Sequence, residues 1–153
     1  MPYLKLAVAL LSLTAGTAVY AQNDFSAQLK ARQGQMRIMA INLGILGGMA
    51  RGNIEYNAEA AQAAADSLAG VAMINQAPLW PEGSGEDAID GTIALPAIWE
   101  NWEGFAKNWA TFQAGAAAMQ AGAAGGQSAL GPLMGGIGGA CQACHEQFQR
   151  PRN

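Results

Sequence analysis

The sequence is short of charge, histidine, cysteine and β-branched residues. Only 12% of its 153 residues are Asp, Glu, Lys or Arg, about half the usual share of roughly 25%. With 51% of the chain apolar, that balance argues against disorder, which needs few apolar residues and high charge. The net charge of -3 leaves no basic footprint, so no nucleic acid is expected as a partner. A single His excludes any site built on two imidazoles, HExxH zinc chemistry included. Two Cys are too few for a disulfide-dense scaffold. No activated nucleophile is evident, and Glu100 and Glu103 read as a solvated face rather than an acid–base pair. The chain is therefore not expected to be an enzyme. Its length suits one domain.

What is present begins with a removable leader. Lys5 and the amino terminus give residues 1–21 a positive start, and Leu6–Val19 is an apolar run of about 14 residues. That is short of the roughly 20 needed to span a bilayer. Val19-Tyr20-Ala21 puts small residues where a signal peptidase reads. The expectation is a cleaved signal peptide, an exported mature domain over 22–153, and no membrane span once the leader is gone. In a Gram-negative cell the destination is the periplasm.

The rest reads as helices, because Ala dominates and no period-2 alternation is found. Asp24 or Ser26 caps a first helix to about Ala50. Leu29, Met36, Met39, Leu43 and Leu46 mark one apolar side of it, and Ile38, Ile41, Ile45 and Met49 a second. Asn57 caps a second helix to about Ile74, with Ala61, Ala65, Leu68 and Val71 inward. A Gly/Pro-rich connection of about 20 residues, Asn75–Leu95, exceeds the usual length and reads as a packed functional loop. Pro96 opens a third helix. Its seam of Ile98, Trp102, Phe105, Trp109, Phe112, Ala116 and Met119 steps by four and three. Gly122, Gly125 and Gly126 end it, and Ser128 caps a fourth helix to about Arg150. The fold class expected is all-α, an antiparallel up-down-up-down four-helix bundle. The fourth helix is crowded with Gly131, Gly135, Gly136, Gly138 and Gly139. Each mid-helix Gly costs about 0.8–1 kcal/mol against Ala. A close approach of its backbone to a bulky group is the expected compensation.

That helix carries Cys141-Gln142-Ala143-Cys144-His145. CxxCH is the attachment signature of c-type haem. Two thiols add to the two porphyrin vinyl groups, and the adjacent His145 offers a ring nitrogen to the iron as proximal axial ligand. A thioredoxin-like redox pair needs a βαβ context, which the pattern lacks. A Cys141–Cys144 disulfide and a zinc site completed by a distant carboxylate are further readings of the same residues. Export and the lack of any other Cys or His favour one covalent haem c per chain.

The chain resembles class II cytochromes c, and most closely the cytochrome c′ family. The resemblance rests on Arg32-Gln33-Gly34-Gln35-Met36, Leu79-Trp80-Pro81-Glu82-Gly83-Ser84, Leu95-Pro96-Ala97-Ile98-Trp99 and the late CQACH, in that order. Cytochromes c′ are themselves type examples of the up-down-up-down bundle. The resemblance implies haem near one end of the bundle and Met36 on the distal side of the iron. In one branch the distal side stays apolar and admits nitric oxide or carbon monoxide. In the other a first-helix Met is the sixth ligand of a low-spin electron carrier. A thioether can ligate iron or merely cover it, so Met36 stands as distal axial ligand or pocket cover. The resemblance further implies that Arg32, with Gln33 beside it, meets a haem propionate, that Trp80, Trp99 and Phe148 line the pocket, and that exported redox proteins and a homodimer partner are in play. The family commonly has a basic residue four positions after the His. Gln149 stands there, with Arg150 one step on.

Overall fold

The computed structural model describes residues 24–151, so the expected leader at 1–21 lies outside the described residues. Five helices follow in order: α1 (Ser26–Ala50), α2 (Ala58–Ala72), α3 (Ala97–Glu100), α4 (Trp102–Gly122) and α5 (Gln127–Phe148). α1 packs on α2 and α5, and α4 packs on the same two, so the four long helices close a ring. Short connections make α1/α2 and α4/α5 antiparallel neighbours. Among the described residues the only β pairing is one isolated bridge, Ala94–Gln149. The expected bundle is the observed one.

The helix ends follow local chemistry. Asp24 Oδ1 accepts from the Ser26 N–H at 2.9 Å, while Phe25 holds the capping position itself. Asn57 Oδ1 accepts from Ala60 N–H at 2.8 Å, as expected. Pro96 sits one residue before α3 rather than inside it. The expected continuous third helix is broken at Asn101, because its side chain caps α4 by accepting from Gly104 N–H at 3.0 Å. The break leaves Trp102 at 36% exposure, while Phe105, Phe112, Ala116 and Met119 of the same seam are buried. Gly126, at φ +111°, takes the capping position expected of Ser128, and α5 ends at Phe148.

Two apolar clusters hold the bundle. The larger joins Ala61, Ala65 and Leu68 of α2 to Leu46 and Met49 of α1, Phe112 and Met119 of α4, and Leu130 and Ile137 of α5. Fully burying a Leu or Ile contributes about 1.5–3 kcal/mol. Alanine on α2 and Gly115 on α4 allow close approach, since a Cβ at Gly115 would lie 3.1 Å from Ile137 Cγ1. The smaller cluster, around Ala94, Ile98, Phe105 and Phe148, takes in Trp80, Trp99 and Cys144.

The glycines of α5 do not do what their number suggests. Gly131, Gly135, Gly136, Gly138 and Gly139 are exposed, and a Cβ built on any of them meets nothing within 4 Å. None lines the cavity described below. The close backbone approach expected of this helix is made instead across the α4/α5 contact at Gly115.

Candidate functional site

A cavity of about 440 Å³ opens at the aromatic end of the bundle, within the range of small-molecule and cofactor pockets. α1 supplies Leu29, Arg32, Gln33, Met36, Arg37 and Met39. The connection supplies Trp80 and the stretch Gly91–Ala94. Ile98 of α3 and Phe105, Asn108, Trp109 and Phe112 of α4 form a third side. α5 contributes Ala140, Cys141, Cys144, His145 and Phe148. No residue of α2 reaches it.

The chemistry-bearing residues share one helical face. Cys141, Cys144 and His145 are spaced i, i+3 and i+4, which stacks side chains on one side of a helix. Both cysteines are free, half-buried thiols. Burial pushes the Cys141 thiol up. It pushes Cys144 up to about 11, with the neighbouring Cys141 adding to the effect. A redox CxxC needs a depressed thiol pKa, so this environment speaks against that alternative. No group of three or more His, Cys, Asp or Glu suited to a metal ion occurs among the described residues. That removes support for the zinc alternative.

Arg32 is 3% exposed, against the surface position typical of arginine. Its guanidinium donates to Ser84 Oγ at 3.3 Å and Ser84 O at 3.0 Å. It also lies 4.5 Å over the Trp80 ring, a cation–π contact. Burial lowers its pKa, and a guanidinium stays charged regardless. Arg32 makes no ion pair among the described residues, and its buried Nε lacks a hydrogen-bond partner. A buried cation on a cavity wall with a spare donor suits an anionic group.

Of the pocket residues expected from sequence, Met36, Arg32, Gln33, Trp80 and Phe148 line the cavity with the CxxCH residues. Met36 is 36% exposed. Gln33 Nε2 donates to Gly91 O at 3.0 Å, strapping the connection onto α1. Trp99 is the exception. It does not line the cavity but donates from Nε1 to Trp80 O at 3.0 Å, which supports the lining residue from behind. Gln149 borders the cavity, and Arg150 is turned away into an ion pair with Glu86 at 3.0 Å. Leu29 and Met39, expected only on the apolar side of the first helix, also line the cavity, as does Arg37, for which the sequence carries no signal. Leu29 is readable afterwards, because 29, 32, 33 and 36 form one helical face. Gly91–Ala94 falls within the connection expected to be a packed functional loop, and the Ala94–Gln149 bridge brings it alongside the end of α5.

The residues present suit a covalently held porphyrin: apolar walls, two thiols, an imidazole and a buried cation on one cavity. The bundle and its CxxCH face define a c-type haem protein. The chain belongs to the cytochrome c′ family, whose sequence model matches residues 27–149. It is 34% identical over 124 residues to cytochrome c′ of Cereibacter sphaeroides, covering 81% of this chain and 83% of the other. It is 38% identical over 122 residues to a cytochrome c-554 of Cereibacter sphaeroides, covering 80% and 92%. The solved cytochrome c′ of Rhodobacter sphaeroides superposes with a TM-score of 0.81 at 33% identity, covering 84% of this chain and 99% of that one.

Proposed function

We propose that this chain is an exported haem c protein that passes single electrons and admits small neutral gases to its iron. Cys141 and Cys144 would hold the porphyrin through thioether bonds to its two vinyl groups. His145 would be the proximal ligand of its iron. Arg32, with Gln33 beside it, would hold a propionate. Leu29, Met36 and Phe112 would give the ring an apolar wall. Bound haem c supplies a one-electron iron couple and, where an axial side is open, a site for nitric oxide or carbon monoxide. The observation that carries this reading is a single cavity lined by all three CxxCH residues, Arg32 and Met36.

A second reading, a low-spin carrier with Met36 as sixth ligand, is favoured by the presence of that thioether on the cavity wall. Ferric and ferrous spectra with and without carbon monoxide separate the two. A high-spin spectrum that shifts with carbon monoxide is expected for the first reading. A Met-to-iron charge-transfer band with no response to the gas, and a spin-state change on Met36→Leu, establishes the second.

Export to the periplasm follows from the leader pattern, and exported redox proteins are the electron partners. A homodimer is supported by Ile41, 64% exposed, and its exposed neighbour Ile38 on α1. Sedimentation at micromolar concentration tests it, and a monomeric mass removes it.

A further inference from the structure

Two buried glutamines meet beside the cavity without lining it. Gln35 of α1 and Gln76 of the connection exchange amide hydrogen bonds. Gln35 Nε2 donates to Gln76 Oε1 at 2.9 Å, and Gln76 Nε2 donates to Gln35 Oε1 at 3.2 Å. The same Gln76 oxygen accepts from Trp80 Nε1 at 3.1 Å, and Gln76 Nε2 also reaches Ile74 O at 3.1 Å. Two apolar side chains would fill this space without the cost of desolvating two amides. What the amides add is direction. A reciprocal amide pair has one geometry, and it hands a fixed acceptor to the Trp80 indole.

Trp80 is the surface on which the Arg32 guanidinium lies, at 4.5 Å. Gln35 follows Arg32 by three positions, on the same side of α1. The helix that carries the cation therefore also carries the clamp for its aromatic support. Two further contacts hold the residue: Trp99 Nε1 donates to its backbone carbonyl, and its ring makes edge contact with Phe105 at 5.0 Å. Neither of these sets the direction of the indole N–H.

We infer that Gln35 and Gln76 are positioning residues, whose amide pair holds Trp80 and through it fixes Arg32 where it grips a haem carboxylate. This rests on the proposed pairing of Arg32 with a propionate. A cation held close to a carboxyl lowers its pKa by about 1–3 units. Loosening the cation lets that pKa rise, so the pH at which the reduction potential begins to change moves upward. Arg37 and His145 are the other ionisable side chains that, with the two cysteines, line the cavity, and both stay unaltered in the variants.

The test is spectroelectrochemical titration of the holoprotein across pH, using Gln35→Met and Gln76→Met, which keep length and lose hydrogen bonding. Arg32→Leu is the reference. Gln62→Met, which removes the amide that bonds Gln120 O and Asp66 on the far side of the bundle, is the control. Arg32→Leu is expected to raise the inflection by about one unit or more. Both clamp variants are expected to raise it by at least about half a unit, and the control to leave it in place. If Gln76→Met does not retain haem, Gln35→Met decides alone, since it removes both bonds by which the amide pair fixes the Gln76 oxygen that accepts from Trp80. A shift in Arg32→Leu with none in the folded glutamine variants overturns the clamp. No shift in Arg32→Leu overturns the propionate pairing itself, and the clamp with it.

Discussion

Replacing exposed glycines of α5 by alanine should stabilise this protein, and the size of the gain can be worked from the structure. Gly135 and Gly139 lie one turn apart in a helix, neither has positive φ, and a Cβ on either meets nothing within 4 Å. Each Gly→Ala change then gains about 0.8–1 kcal/mol of helix propensity with no steric charge against it. The double variant should gain about 1.5–2 kcal/mol, which raises Tm by roughly 5–8 °C for a domain of this size. Thermal and guanidinium melts of the holoprotein, followed by circular dichroism, measure it. Gly115→Ala is the matched contrast. Its Cβ would sit 3.1 Å from Ile137 Cγ1 and 3.5 Å from Ile137 Cα. Ile137 is fully buried, so any shift it makes must be absorbed by close-packed neighbours. Overpacking of about 1–3 kcal/mol outweighs the propensity gain there, so the same substitution should destabilise. A loss of stability at Gly135 or Gly139 would mean that something packs on that face. A gain at Gly115 as large as at Gly135 would refute the close α4/α5 approach.

Asn101→Ala should cost about 1 kcal/mol, because it removes the side-chain acceptor for Gly104 N–H at 3.0 Å; an unchanged denaturation midpoint would show that the break between α3 and α4 does not depend on that cap. Hydrogen bonds from Gln62 at 2.9 Å and Gln120 at 3.0 Å hold the Asp66 carboxyl below its ordinary value of 3.8. Its folded-state pKa is depressed, so its contribution is present above the unfolded value and lost as pH falls through the folded one. Asp66→Asn should therefore flatten the acid side of the Tm–pH curve, and identical curves for variant and parent would contradict this.

The parts of the molecule that were legible in the sequence are those set by local chemistry. CxxCH, the Asn57 cap and the Ala61–Ala65–Leu68 face each express a preference that one helix satisfies by itself. The Arg32–Met36 face was legible by spacing and resemblance. Asn101 misled because a strong heptad seam runs straight through it; its capping ability competes with the seam and wins locally. The α5 glycines misled for a different reason. Glycine marks either a close approach or mere tolerance of exposed backbone, and only tertiary placement tells the two apart. Trp99 was one shell out, because a pocket wall and its backing share the same apolar signature. The pairing of Gln35 with Gln76 spans two distant segments, and no local pattern reports it.

The division of labour between the helices follows from which of them reaches the cavity. α1, α4 and α5 line it, with the connection and α3, whereas α2 faces the larger core with Ala61, Ala64, Ala65 and Leu68 and has no residue on the cavity. α2 is nonetheless tied to the functional end by its last turn, where Trp109 Nε1 at 3.3 Å and Gln113 Nε2 at 2.8 Å both donate to Ala72 O. Trp109 is itself a lining residue. The unsatisfied carbonyls at that helix terminus thus fix the orientation of one cavity wall. Changes in the middle of α2 bear first on the larger core, which α2 shares with the lining residues Met39, Phe112 and Ala140. Changes at its C-terminal turn reach the site through Trp109. A helix that contributes nothing to the pocket's surface still sets the angle of one of its walls.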